Sequence, residues 1–522
     1  MKKIIITLVV LLIAMSAMVY LYFSNLNKNS EANDLSLNAV SANTSLVFSF
    51  EENKSFYEIL SGQDLFQRIL GESKSKHFRS LRLLLNEQPE LGPLFDGRKI
   101  YIGFLPDTSD AVDYILTTQF NDEIDLQRIL DKSKLKGIKT TKLNDVTKLE
   151  LLDSTIIYLG VKKTLLMVSD KSEPIQKIMN EEPQKASNFA TYIKSSNGIS
   201  KNGLANLYIN FEAIPALLKN ILNGPLSGEL GVFNQKGTFA TLNYNFSTEK
   251  LLFNGTTSME NTDSYHALFV DESDQVVKIN NIMPISTANY TVYAITDYKN
   301  WLPKLSAWLG KQGSSKRFLA NEEAISKKYG LDLKQIFPNY FKSQFATFQL
   351  ASGEKFGAIT LSNGDKVGQL LLDLSTEYAP DIRIFREAGI PYTYFGEPFK
   401  KFGRPYYTII DNYMVMANNA SSLQVFLNSY QKNKLLMNDL AYQQFNDQLS
   451  AATLSFYIHN KNSNTIFSRN LKSPFFKHYR KEDGLGKFES FSYQLTGDKG
   501  KFVSNILLSK EVAAIDTTVT RN

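Results

Sequence analysis

The chain of 522 residues contains no cysteine, four histidines and two tryptophans. Without a thiol there is no disulfide, no cysteine nucleophile, no thiolate-held zinc or iron–sulfur site, and no lipidated lipobox cysteine. None of the histidines, His77, His266, His459 and His478, stands within five residues of another, so the paired spacing of metal ligands on one helix or loop is missing. Also absent are the Walker loop, the dinucleotide fingerprint, the G-x-S-x-G elbow, the H-E-x-x-H helix and the EF-hand loop. The glycine clusters GPLSGELG (224–231) and GDKGK (497–501) lack phosphate-loop spacing, and the second reads as a hairpin turn. Nor does one sign of charge dominate. The 58 basic and 52 acidic residues leave +6, too mild a surplus for a nucleic-acid binder. No cofactor, no metal and no nucleic-acid partner is expected.

What is present is a globular composition, 43% hydrophobic and 21% charged, long enough for two or three folding units. Lys2 and Lys3 precede an uncharged run from Ile4 to Phe23 that reaches ~30 Å as a helix, one hydrocarbon core. Ala14-Met15-Ser16 matches a cleavage site weakly, and the apolar run continues past it, so residues 1–23 are expected to be a retained anchor in the lipid bilayer. The two lysines before the span place the amino terminus in the cytoplasm and the rest outside, and residues 24–34 read as a polar tether. Asn53, Asn245, Asn254, Asn289 and Asn419 head N-x-S/T sequons. A cysteine-free ectodomain of this length nevertheless points to a bacterial inner membrane with the bulk in the periplasm.

The chain also repeats itself. LVFSFEENKSFYEIL (46–60) and TVYAITDYKNWLPKL (291–305) match at Val47/Val292, Lys54/Lys299 and Leu60/Leu305. KIYIGFL from Lys99 falls on QFATFQL from Gln344 at the same offset of 245. LLMVSDKSEPIQKIMN from Leu165 meets YMVMANNASSLQVFLN from Tyr413 at 248, with Ser172 and Ser421 as expected helix N-caps. Tyr208/Tyr457 and Phe239/Phe488 follow at 249. The ordered blocks predict a tandem duplication: copy 1 over 35–259, a connecting segment over 260–277 whose HALFV is read as a strand, copy 2 over 278–510, and a tail over 511–522. Alternating stretches such as TFATLNYNFS and SFSYQLTG predict α+β copies, each a mainly antiparallel sheet covered by helices on one face.

Divergence between the copies marks where a function could have been added. NILNGPLSGELGVFNQ (220–235) is neutral, whereas its counterpart carries Arg469, Lys472, Lys477, His478, Arg480 and Lys481 around Phe475, Phe476 and Tyr479. A second basic–aromatic stretch, GEPFKKFGRPYY (396–407), holds Lys400, Lys401 and Arg404 around Phe402. Cations interleaved with rings suit an anionic partner or a headgroup boundary, and a solvated face with its rings turned inward is the plainer alternative. His459 reads as a hydrogen-bonding surface residue, and Asp271, Glu272 and Asp274 as a solvated acidic loop.

At SANTSLVFSF and its echo STANYTVYAI the chain resembles uncharacterised bacterial envelope proteins held by one amino-terminal helix and bearing a large extracytoplasmic domain of unknown function. The resemblance implies no catalytic residue. The expectation is a non-enzymatic envelope protein that binds or scaffolds an anionic component or a protein partner. An envelope hydrolase with a site visible only in three dimensions, or a carrier of apolar molecules, are the alternatives; the oligomeric state is left open.

Overall fold

In a computed structural model the chain is described over residues 34–510, apart from 43, 52–63, 88–94, 96, 107–111, 124, 126–127, 129–137, 182–185, 197–203, 225–227, 234, 246, 262, 314 and 483. The expected anchor at 4–23, most of the tether and the tail at 511–522 lie outside these residues. Among the described residues no helix is long and apolar enough to cross a membrane.

The chain is α+β, with a twenty-stranded antiparallel sheet among the described residues. The N-terminal half supplies β1 (Leu46–Glu51), β2 (Lys99–Pro106), β3 (Val112–Gln119), β4 (Lys139–Leu143), β5 (Val146–Glu150), β6 (Ile156–Lys162), β7 (Leu165–Ser169), β8 (Asn206–Asn210), β9 (Thr238–Asn245) and β10 (Lys250–Met259). From the outer edge inward their order is β4-β5-β6-β7-β3-β2-β1-β8-β9-β10. The C-terminal half supplies β11 (Thr287–Ala294), β12 (Phe341–Leu350), β13 (Lys355–Leu361), β14 (Ser375–Ala379), β15 (Ile382–Phe385), β16 (Tyr406–Ile410), β17 (Tyr413–Ala417), β18 (Leu454–His459), β19 (Phe488–Asp498) and β20 (Lys501–Lys510). Their order is β14-β15-β16-β17-β13-β12-β11-β18-β19-β20. The innermost strands, β10 and β20, pair with each other and close the two halves into one sheet.

Helices lie on both faces of the sheet, a correction to the expectation of one. In the N-terminal half α1 (Leu35–Ser41), α3 (Ser172–Asn180) and α4 (Asn188–Ser196) cover Val47, Tyr101, Met167 and Tyr208. The opposite face, with Phe50, Ile100 and Tyr114, meets Leu81 of α2 (Asp64–Glu87). In the C-terminal half α11 (Ala420–Gln431) and α12 (Leu440–Asn446) cover Tyr290, Phe348, Phe356 and Tyr457. Across the sheet, α6 (Tyr298–Lys311), α8 (Leu333–Tyr340) and α10 (Ile390–Phe395) place Trp301, Phe337 and Phe395 on Tyr293, Phe345 and Ile359. The physical signal was in the inner strands: all of β11 and all of β7 are buried, and a strand buried on both sides has no polar face to turn to water.

Two local expectations also fail. HALFV forms a 3-10 turn, Tyr265–Phe269, started by Ser264, whose hydroxyl accepts the His266 amide, and Phe269 packs among Tyr293 and Trp301 in the core. Ser172 and Ser421 lie inside their helices, and neither helix has a side-chain cap. GDKGK is the tight turn it was read to be: Asp498 pairs with Lys501, and Lys499 and Gly500 both take positive φ (48° and 87°).

Candidate functional site

The basic stretch at 469–481 is an arm that crosses from the C-terminal half to the N-terminal one. Leu471 forms an isolated antiparallel bridge with Leu222. Around it the Asn223 amide donates to Asn470 O at 2.8 Å and the Lys472 amide to Ile221 O at 2.9 Å. The Asn223 side chain donates to the carbonyls of Arg469 and Leu471, both at 3.0 Å. Pro474 then opens the helix α14 (Ser473–Arg480), where its missing N–H costs nothing.

The arm docks on α2. His478 Nε2 lies 2.7 Å from the carbonyl of Arg68, and the Arg68 guanidinium in turn donates to Glu482 O at 3.1 Å. The imidazole sits over Gly71, where α2 breaks with φ 78°; a Cβ there would stand 3.1 Å from the ring. Tyr479 is buried and donates to Asn460 Oδ1 at 2.8 Å, and its phenol is pushed up to about 12 by burial. Phe476 is half-buried, stacks on Tyr479 with centroids 5.9 Å apart, and carries the Arg480 guanidinium over its ring at 5.9 Å. Phe475 and Lys472 are half-buried. Arg469, Lys477, Arg480 and Lys481 are exposed, with Lys481 3.9 Å from Glu72. The aromatic half of the motif therefore anchors the arm, and the cationic half faces water.

The second stretch makes contacts of its own. Phe402 is fully buried beside Phe399, so its ring belongs to the core. Lys400 lies 3.3 Å from Glu397 and above Tyr392; Lys401 lies 5.5 Å from the centroid of the Phe402 ring. Arg404 donates from Nε to Phe385 O at 2.7 Å.

Beneath the docked arm is a cluster that sequence reasoning missed. Lys74 on α2 pairs with Asp170 and lies 4.0 Å from Asp113, which Lys171 approaches to 3.1 Å. One turn along α2, His77 meets the Tyr114 ring edge-on at 5.5 Å, and Lys74 lies over the same ring at 5.5 Å. Burial lowers the His77 pKa against the pull of Asp170, and burial raises that of Tyr114. Nearby, desolvation pushes Asp153 up, but hydrogen bonds from Thr155 and Ser80 and the charge of Lys76 hold it at about 2. The one available signal was Asp113, a lone acid in the apolar strand VDYILTTQ. Two lysines offset two aspartates, so the network fixes α2, the platform of the arm, without leaving a net charge for a ligand.

Two further corrections concern single residues. His459 is buried, with Nδ1 accepting from the Asn462 amide at 3.3 Å, so it caps a helix in place of facing water. Glu272 is buried too and accepts from the Thr296 amide at 3.0 Å. Among the described residues no group of three His, Asp or Glu side chains is placed to hold a metal ion. No family model, no curated protein and no solved structure matches the chain.

Proposed function

We propose that the chain is a membrane-tethered, extracytoplasmic binding or scaffold protein of the bacterial envelope, non-enzymatic, that presents the cations of its crossing arm to an anionic partner. The observation that carries the reading is the division of labour on α14. His478 and Tyr479 hold the helix against other parts of the protein, while Lys477, Arg480 and Lys481 remain exposed on a pre-ordered support. Lys477, His478 and Arg480 also occupy the last turn, where cations suit the helix dipole.

The same reading takes the chain as a tandem duplication. Its support is the strand order, which visits corresponding strands identically from the outer edge to β10 and to β20. At the junction Asn254 pairs with Asn505, and on the arms Leu222 pairs with Leu471, like with like, as a two-fold relation between halves requires. The test is capture of phosphatidylglycerol vesicles by the full chain already seated through its anchor in phosphatidylcholine nanodiscs. Alanine at Lys477, Arg480 and Lys481 is expected to lower retention several-fold at low salt and to flatten its salt dependence. Unchanged retention removes the arm as the binding face.

A carrier of apolar molecules is the second reading, favoured by a groove of 370 Å³ between α6, α8 and α10. Leu302, Leu309 and Pro338 line it, and at its polar end Glu322 lies 3.1 Å from Lys334 and accepts from Tyr394 OH at 2.7 Å.

A further inference from the structure

A second cavity, of 450 Å³, opens at the junction, between α4 and the paired strands β10 and β20. Six of its nine lining residues carry a hydroxyl, and Asn188, Glu260 and Lys501 complete the wall. Thr191, Ser195 and Ser196 come from α4, Tyr192 from the same helix, and Thr256 and Ser258 from β10. Helix α4 puts polar groups on this wall because its apolar residues, Phe189, Ala190 and Ile193, take the opposite side and enter the core.

The orientation of these hydroxyls matters more than their number. Thr191 donates to Ser187 O at 3.1 Å, and Ser195 and Ser196 each donate to Tyr192 O at 2.8 Å. The hydrogens of Thr191 and Ser195 are thus committed to helix carbonyls and their oxygens keep lone pairs to offer, while Ser196 and Thr256 also bond the Tyr192 phenol. Glu260 adds an acceptor and Lys501, 3.8 Å from Asp498, a donor, so the wall has no excess of positive charge to favour an anion. A cavity of this size and chemistry suits a compact ligand dense in O–H and N–H donors with a few acceptors of its own.

The corresponding strand position in the C-terminal half is occupied by a buried apolar side chain. Counting along the two ten-residue strands from the Asn254–Asn505 pair, Thr256 corresponds to Leu507. Leu507 is buried in the apolar cluster that holds Tyr442 and Phe445 of α12. One half fills the position with a leucine and the other leaves a hydroxyl-lined opening.

We infer that this cavity is a binding site for a neutral, disaccharide-sized carbohydrate, held by the hydroxyls of α4 and β10 and by Lys501 across the junction. The site is separate from the basic arm and stands or falls apart from it. The comparison with Leu507 uses the proposed duplication; the cavity itself does not. The experiment is calorimetric titration of the full chain, in a detergent without a sugar headgroup, with cellobiose and with N,N′-diacetylchitobiose. At least one is expected to bind saturably. Thr256→Leu, which installs the residue of the other half, is expected to weaken that binding about tenfold or more with an unchanged melting temperature. Should Thr256→Leu fail to fold, Lys501→Ala, a change at an exposed side chain, is expected to weaken binding about threefold or more. The inference is overturned by no saturable binding of either disaccharide, by tighter binding of glucose 1-phosphate than of both, or by affinity that survives the substitution in a folded variant.

Discussion

Asn254 and Asn505 stand opposite each other at the junction of β10 and β20, 251 positions apart in the chain and paired in an antiparallel register that reads the same from either strand. Under the proposed duplication the two-fold point of this register falls on these two identical residues. Beside it, Gly255 approaches β9 so closely that a Cβ would lie 2.0 Å from Thr241 O. On the buried side, the hydroxyls of Thr257 and Ser504 lie 2.6 Å apart.

Gly255→Val tests that seam. Because the added carbons meet backbone, which cannot swing away, the loss is expected to be about 2–3 kcal/mol, read as a lower urea midpoint. A midpoint equal to that of the parent chain would show that β9 can yield.

The arm offers a second test at Gly71. Any L-residue there takes φ 78° and places a Cβ 3.1 Å from the His478 ring. Gly71→Ala is expected to cost about 1–2 kcal/mol. It should also raise hydrogen exchange in 473–480 before the central strands respond. Uniform exchange would mean that α2 and α14 are not coupled in this way.

Asp113 carries a third. Its side chain is 8% exposed and serves both Lys171 and Lys74, so Asp113→Ala leaves two partly buried ammonium groups facing one aspartate. Breaking such a pair costs about 3–5 kcal/mol when fully buried; with lysines 26% and 35% exposed, about 2 kcal/mol is expected, measured by urea unfolding. Losing Lys171 alone should cost less, since Lys74 remains.

A fourth concerns pH. Burial of His266 lowers its pKa from 6.5 to about 4, so the folded protein excludes a proton that the unfolded chain accepts. Its neutral form contributes fully above pH 6.5, and stability falls as pH drops from about 6.5 towards 4. Burial shifts His77 and His459 in the same direction. His266→Phe is expected to flatten this part of the curve by up to about 3 kcal/mol, followed as melting temperature between pH 7 and pH 4.5. An unchanged slope would place the proton uptake elsewhere.

Much of the architecture was legible because strand alternation and turn chemistry are local. The hairpin at GDKGK, the α+β class and the two runs of like elements all appear in the order of residues. Under the proposed duplication the alignment of the runs was legible only to within two residues. Val47 faces Tyr208 and Tyr290 faces Tyr457, so if the tyrosines correspond, the counterpart of Val47 is Tyr290 and not Val292. At the last hairpin the ladders likewise favour 251 over 249. A slip of two keeps every side chain on its own face of the strand, so the hydrophobic pattern cannot register it, whereas hydrogen-bonded pairing can.

The candidate sites divide along the same line. Charge and aromatic content at 469–481 were visible in the residue order, yet which rings anchor and which cations face water depended on α2, some 400 positions earlier in the chain. Phe402 reads the same as Phe476 in sequence; only packing sends one wholly into the core and leaves the other half out. The Lys74–Asp113–Asp170 network showed in the sequence only as one acid in an apolar strand, and the hydroxyl cavity not at all, because their members come from separate helices and strands. By itself the sequence determined composition and element type, which follow from neighbours along the chain. Tertiary structure decided the faces, the register and the sites, because these depend on distances that chain order does not contain.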